Sequence, residues 1–504
     1  MSATRIAPLD RLREHLHTTR LLGSIHSTLY FDQNTVMPSA GAAWRGEQLA
    51  LLARQIHQRQ SSAEFQELLA AAEAEQAAQP EPDPAARRNL QLLRQELERQ
   101  RRLDPDLVAR LAEAQARGYS LWQEARSRAD FNLFAPALSE LVSLRREQAR
   151  QLAEPRSCWE SLAQSFEPEI SHRRLEELFG PLRQRLPELL ERAAVLPALP
   201  ERDWDLSESV QDSLCQELLA AWGYDASRCQ RSRSPHPFSC TIGPADFRIT
   251  TRVVPGMPFS AFLATAHEWG HSLYEQGLPR GGDHWFPWPL GEATSMGVHE
   301  SQSLFFECRL ARGSAFATRW YPRFRQALGR DPWGEASRFW RALNPMRPGL
   351  NRVEADELSY GLHIVLRYDL ERALLEEDLP VAELPQRWND GMEALLGLRP
   401  ADDAQGCLQD VHWSEGLFGY FPSYALGHLI SAQLAETLEA ELGPIEERVA
   451  ASDEGAIIAW LAAKVWPQGR RVSAEELVEQ VSGRPLSATP FLSYLEAKLE
   501  RLGG

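Results

Sequence analysis

The sequence predicts a mainly α-helical protein with one small β element, and three observations predict it. Residues 87–154 are rich in Leu, Ala, Glu, Gln and Arg, with apolar side chains at three- and four-residue steps, the spacing of a helix that buries one face. The same helical texture resumes in the second half and runs to Leu502. One segment breaks it. Residues 235–254 read PHPFSCTIGPADFRITTRVV, where Phe247, Ile249 and Thr251 alternate with Arg248, Thr250 and Arg252. That alternation marks a short strand, paired in a hairpin across Gly243-Pro244.

Each punctuating element has a local cause. QPEPDP, residues 79–84, is a turn between two helices. Pro255-Gly256 ends the strand before the next helix. Within that helix the apolar run AFLATA, residues 261–266, predicts burial in the core. No internal repeat or low-complexity tract divides the chain, which reads as a single domain over 1–504.

Composition narrows the class. With 43% hydrophobic and 25% charged residues in 504, the chain can fold around a core large enough to wall off a dry site. Its 54 basic and 70 acidic residues give a net charge of −16, which disfavours nucleic acid and anionic lipid as partners. Cys158, Cys215, Cys229, Cys240, Cys308 and Cys407 form no C-x-x-C pair, against both a zinc ribbon and a disulfide framework. The first twenty residues show no apolar signal region, and no stretch reaches the roughly 18 apolar residues of a membrane span, so the cytoplasm is the expected compartment.

The chemistry centres on His267-Glu268-Trp269-Gly270-His271. On a helix His267 and His271 lie one turn apart on one face, so both imidazoles reach one metal ion. Glu268, beside a ligand, can act as general base on water at that ion. The alternative is two core histidines bonded to backbone or carboxylates. A catalytic site of this type takes a third protein ligand, and spacing leaves two candidates, Glu292 and Glu300. Glu300 opens a helix whose Leu304 and Phe305 would face the core. Trp269 and Gly270 have no chemical role of their own; helix packing is the default for both.

Other motifs, in order, resemble those of the carboxypeptidase Taq family of metallocarboxypeptidases. Asp246-Phe247-Arg248-Ile249-Thr250 matches D-x-R-x-T, and His299-Glu300-Ser301-Gln302 matches H-E-S-Q. Residues 351–360, NRVEADELSY, match [I/N]-R-x-x-A-D-E-x-x-Y, and residues 406–413, GCLQDVHW, match G-x-x-Q-D-x-H-W. Phe31-Asp32-Gln33 with Met37-Pro38, and residues 419–424, GYFPSY, extend the resemblance toward both ends, with Phe31 where the family has Trp. The resemblance implies a helical fold with two lobes about a deep central groove, like angiotensin-converting enzyme and neurolysin. It also implies a homodimer, Glu300 as third ligand, and stepwise removal of C-terminal residues from peptides with broad preference.

Under that resemblance the remaining residues acquire roles. Recognition of a free carboxylate suits a bidentate arginine, and Arg248 and Arg352 are the candidates. His412, Tyr420 and Tyr424 can donate to a developing oxyanion. If the chain is helical from Gly419, the two tyrosines share a face, and spacing from His412 favours Tyr424 without excluding Tyr420. Asp356, Glu357, Gln409 and Asp410 are structural or orient a ligand histidine. His299 contacts substrate or caps its helix, and His236 packs in the core or a loop, with a place near the groove as the alternative. The metal implied is zinc, with cobalt an option for a His/His/Glu set. Two rivals stand beside this reading: an oligo-endopeptidase on the same scaffold, and a peptide-binding protein with a relic metal site.

Overall fold

Helix-forming sequence becomes helix along most of the chain. The computed structural model describes residues 7–152, 154–197, 203–280 and 286–503. Pro8 opens the first helix, Pro8–Thr35, at a position where its missing N–H breaks no hydrogen bond. QPEPDP connects the helices Ala63–Ala77 and Pro84–Arg101, as its composition predicts. Asp83-Pro84 and Asp104-Pro105 start two helices of the Leu/Ala/Glu tract in the same way. Each aspartate accepts the backbone N–H two residues on, and each proline takes the first helical position. No helix among the described residues is long and apolar enough to cross a membrane.

Two main apolar cores form, beside a minor cluster of Leu107, Leu111, Ala114, Leu141 and Leu144. The smaller joins the N-terminal helices through Leu12, Leu16, Phe65, Leu69 and Leu93, with Trp288 against them. The larger continues to Leu502. Helix His172–Ala193 shows the pattern at work: Leu175, Leu178, Phe179, Leu182 and Leu186 recur every three or four residues, and all are buried.

The sheet has three strands, β1 (Cys229–Arg233), β2 (Ser239–Gly243) and β3 (Asp246–Thr251), in the order β1-β3-β2. β2 and β3 are the expected hairpin, antiparallel with a register shift between Thr241 and Gly243. β1 adds a parallel neighbour to β3. Its sequence, CQRSR, buries only Cys229, so it carries no alternating signal. The buried face of β3 supports the helix Ser260–Gly277: Thr251 Oγ1 donates to the Ala261 carbonyl at 3.0 Å, and Thr265 Oγ1 lies 3.3 Å from Thr251 Oγ1. The sheet thus fixes the helix that carries both histidines.

Candidate active site

His267 and His271 project from one face of helix Ser260–Gly277 toward Glu300 on helix Met296–Leu304. One ligand atom from each of the three lies within 4.8 Å of the other two. Glu300 Oε2 is 3.9 Å from His267 Nε2 and 3.6 Å from His271 Nε2, gaps that a cation about 2 Å from each donor would bridge. Glu292, the rival third ligand, stands elsewhere, paired with Arg20 at 3.4 Å and Arg470 at 2.9 Å.

The two helices approach closely because small residues permit it. A Cβ on Gly270 would lie 2.7 Å from the Gln302 carbonyl oxygen and 2.8 Å from Ser303 Cα. On the other side, a Cβ on Gly427, in helix Pro422–Leu442, would lie 2.7 Å from Glu300 Cγ. Trp269 is fully buried and donates its indole N–H to the Trp222 carbonyl at 3.1 Å. The two central residues of HEWGH therefore set helix packing, and Gly270 sets the distance between the ligand-bearing helices.

Both imidazoles are oriented through their far nitrogens. His267 Nδ1 is 3.0 Å from Glu307 Oε2, and His271 Nδ1 is 3.1 Å from the His299 carbonyl. The orienting group, expected among Asp356, Glu357, Gln409 and Asp410, is instead Glu307. It lies on a π-helical segment, Phe305–Ala311, that continues the Glu300 helix. Arg312 donates to it at 3.0 and 3.1 Å. Against burial, Arg312 and the His267 contact hold Glu307 at about 2, so it stays ionised.

The donor set fits one divalent cation. Glu300 is largely but not fully buried, and its carboxylate receives no hydrogen bond from a described residue, an arrangement that is unfavourable without a cation. Without one, the imidazoles share the deficit unequally. His267 is raised to about 10 despite burial, chiefly by Glu300 and the Glu307 hydrogen bond. His271 falls well below 6.5 through burial and the neighbouring His299 and His267. Glu268 is also buried, and burial pushes it up to about 7, with His267 opposing and Glu300 and Glu307 adding.

A second cluster forms around Arg352 and Asp410. Arg352 gives Nε to Asp410 at 2.9 Å and Nη1 to the Tyr360 hydroxyl at 3.2 Å. Fully buried Arg367 donates to the other Asp410 oxygen at 2.6 Å and to Gln409 at 2.9 Å. Against burial, Arg367 and then Arg352 hold Asp410 well below the usual carboxylate range. Arg352 is also near enough to Glu300 to favour its charged form. The Arg352 guanidinium lies over the Tyr424 ring, 4.8 Å from its centre.

His412 Nε2 is 3.2 Å from the Tyr424 hydroxyl, while burial lowers its pKa to about 3 and keeps it neutral. The Tyr420 and Tyr424 rings are 5.3 Å apart, and Glu300 acts on both phenols. The two tyrosines meet, but not on one helix face. The helix begins at Pro422; Gly419 has φ +88°, donates its N–H to Glu371 at 2.9 Å and leaves no room for a Cβ against Ala163.

Of the other candidates only His299 touches the metal-ligand cluster. Arg248 is bonded by both Asp246 oxygens, at 2.9 and 2.7 Å, and stacks on Phe31, where the family pattern has Trp. Among the described residues no ionic contact joins it to the metal ligands. His299 Nε2 contacts Glu275 at 3.1 Å, and its ring stacks on His271. Asp356 accepts the N–H groups of Leu358 and Ser359, Glu357 pairs with buried Lys498, and His236 is exposed.

Comparison with known proteins identifies the family. The family described as carboxypeptidase Taq (M32) metallopeptidase matches residues 11–499. "Thermostable carboxypeptidase 1" of Thermus thermophilus is 38% identical over 512 residues, covering 99% of each chain. "Carboxypeptidase 1" of Bacillus subtilis is 30% identical, covering 98% of this chain and 97% of its own. The solved M32 carboxypeptidase of Deinococcus radiodurans superposes with a TM-score of 0.94 at 32% identity, covering 99% of each chain. The metal-type ligand set, the helical scaffold and these matches together establish that the chain is a peptidase belonging to the carboxypeptidase Taq (M32) metallopeptidase family.

Proposed function

We propose that this protein is a zinc-dependent metallocarboxypeptidase that removes residues singly, with broad preference, from peptides with a free C-terminus. The observation that carries the reading is the pairing of two clusters: His267, His271 and Glu300 converge on one point, and Arg352 lies within electrostatic reach of Glu300. Zinc suits two imidazoles and a carboxylate, and cobalt is the next choice. The rest of the proposal is a homodimeric cytoplasmic enzyme, one catalytic domain over 1–504, its two helical lobes flanking a groove as in angiotensin-converting enzyme and neurolysin.

A divalent cation, when bound, supplies Lewis acidity, polarising a carbonyl and bringing the pKa of water from about 15.7 toward roughly 7. Glu268 accepts the proton of the attacking water and returns it to the leaving amine. Its buried position keeps proton affinity near neutrality, as a general base needs. His412, Tyr420 and Tyr424 donate to the carbonyl oxygen as it gains charge. Arg352 holds the terminal carboxylate, with Arg248 contributing from the sheet.

Glu268→Gln tests the base: it should keep metal and lose turnover, and near-normal turnover would remove Glu268 from the mechanism. Paired peptides test the exopeptidase reading. N-blocked peptides with a free C-terminus should be cut and their C-terminal amides spared; cleavage of the amides at internal bonds would show an oligo-endopeptidase instead.

A further inference from the structure

The turn after the short helix Cys158–Ala163 reaches both halves of the site without contributing a motif. Glu167 is 2% exposed. Its Oε1 accepts the backbone N–H of Gly297, at the N-terminus of the Glu300 helix. A Cβ on Gly297 would lie 3.0 and 3.2 Å from the two carboxylate oxygens, so the acid sits flush against that helix end. Burial pushes the Glu167 carboxyl up to about 7, opposed by the Ser423 hydroxyl, one residue before Tyr424, by the Ser295 hydroxyl on the same helix end and by the Gly297 N–H. The Ser423 hydroxyl is buried and makes no hydrogen bond of ordinary geometry among the described residues.

The neighbouring residue repeats the connection. The Phe166 carbonyl accepts the Met296 N–H at 3.1 Å, and its ring meets Tyr420 edge-on, with centroids 5.0 Å apart. Phe166-Glu167 therefore touches the helix of the third metal ligand on one side and both tyrosines' segment on the other. A buried carboxylate at a helix N-terminus is favoured by the helix dipole and the free N–H groups there.

We propose that Glu167 is a positioning residue: it locks the helix bearing Glu300 to the segment bearing Tyr420 and Tyr424, so that the metal ligand and the oxyanion donors keep one mutual geometry. The inference rests on the functional reading above for the roles of Glu300 and the tyrosines. Glutamine at 167 fills the same space but removes the charge and turns a donor toward the Gly297 N–H or the serines. Glu167→Gln should then weaken zinc binding roughly 10- to 100-fold, as loss of an outer carboxylate does. At saturating zinc it should still show a lowered kcat with KM nearly unchanged, because the tyrosines are displaced as well.

The experiment measures zinc dissociation constants by chelator competition on stripped protein, and kcat and KM at saturating zinc, for wild type, Glu167→Gln and Ser423→Ala. Ser423→Ala touches only the tyrosine side. It should keep wild-type zinc affinity and lose kcat several-fold, and it serves where Glu167→Gln folds poorly. Glu167→Gln with wild-type zinc affinity, or with kcat fully restored by zinc, would overturn the inference; so would a Ser423→Ala enzyme of wild-type kcat. Failure of the functional reading would appear separately, as wild-type protein that binds no zinc or gains no peptidase activity from it.

Discussion

Gly270→Ala is the sharpest test of how the metal ligands are held. The added methyl would meet the Gln302 carbonyl oxygen at 2.7 Å and Ser303 Cα at 2.8 Å, both main-chain atoms that cannot swing aside. Restoring ordinary contact would need the helices bearing His267 and Glu300 to separate by about 0.7 Å. Metal–ligand distances tolerate only about 0.2 Å. Overpacking costs about 1–3 kcal/mol, and the gain in helix propensity returns about 1, so the fold should lose no more than about 2 kcal/mol. Zinc affinity should fall at least about tenfold, out of proportion to that loss. Urea melts and chelator competition on the same preparation separate the two effects. Gly180→Ala is the control: it lies within helix His172–Ala193, its Cβ would meet nothing within 4 Å, and it should leave zinc binding unchanged while gaining up to about 1 kcal/mol. Wild-type zinc affinity in Gly270→Ala would refute the claim that this glycine sets the ligand spacing.

Two further outcomes follow from buried charges. Asp410→Asn would leave Arg352 and Arg367 facing each other without their shared carboxylate, and should destabilise the fold by about 3–5 kcal/mol in urea; an unchanged midpoint would contradict the assigned network. Glu376 is held at about 2 rather than 4.5, against burial, by His172, Ser157 and the Trp159 N–H. Its folded pKa is depressed, so its contribution is complete above pH 4.5 and is lost as pH falls toward 2. Glu376→Gln should therefore be less stable than wild type near neutrality, with the gap narrowing through that window; a gap independent of pH would dismiss the linkage.

What could be read from sequence is what local periodicity encodes. His267 and His271 share a face because four residues make about one helical turn, and the β2–β3 hairpin announces itself by alternation around Gly243-Pro244. β1 was invisible because CQRSR is polar and gains its place only by pairing with β3. Glu307 stands seven residues after Glu300, about two turns, which is a signal, but the π-helical winding that aims it at His267 has no sequence mark. Helix from Gly419 was the simple extrapolation; a positive φ there and the Glu371 acceptor delay the start to Pro422. The work of Gly270 and Glu167 depends on which helix lies opposite, and no spacing within the chain reports that.

Under the proposed function, an enzyme of net charge −16 that binds a carboxylate must reverse its sign locally, and the Arg352–Asp410–Arg367 cluster offers the charge to do so. Two guanidinium groups share one acid, which leaves a surplus positive charge out of water. Distant surface carboxylates are screened over about 8 Å at physiological salt, so the near charge dominates. The direction of Arg352 matters as much as its sign. Asp410 takes the fork formed by Nε and Nη2, at 2.9 and 2.8 Å. That engagement fixes the plane of the guanidinium and leaves the opposite fork, Nη1 with the second Nη2 hydrogen, on the side where Tyr360 lies. A second carboxylate can be received bidentately only on that fork. In the proposed mechanism Asp410 is thus not a competitor for the substrate terminus; it is the group that holds Arg352 in the orientation to accept one.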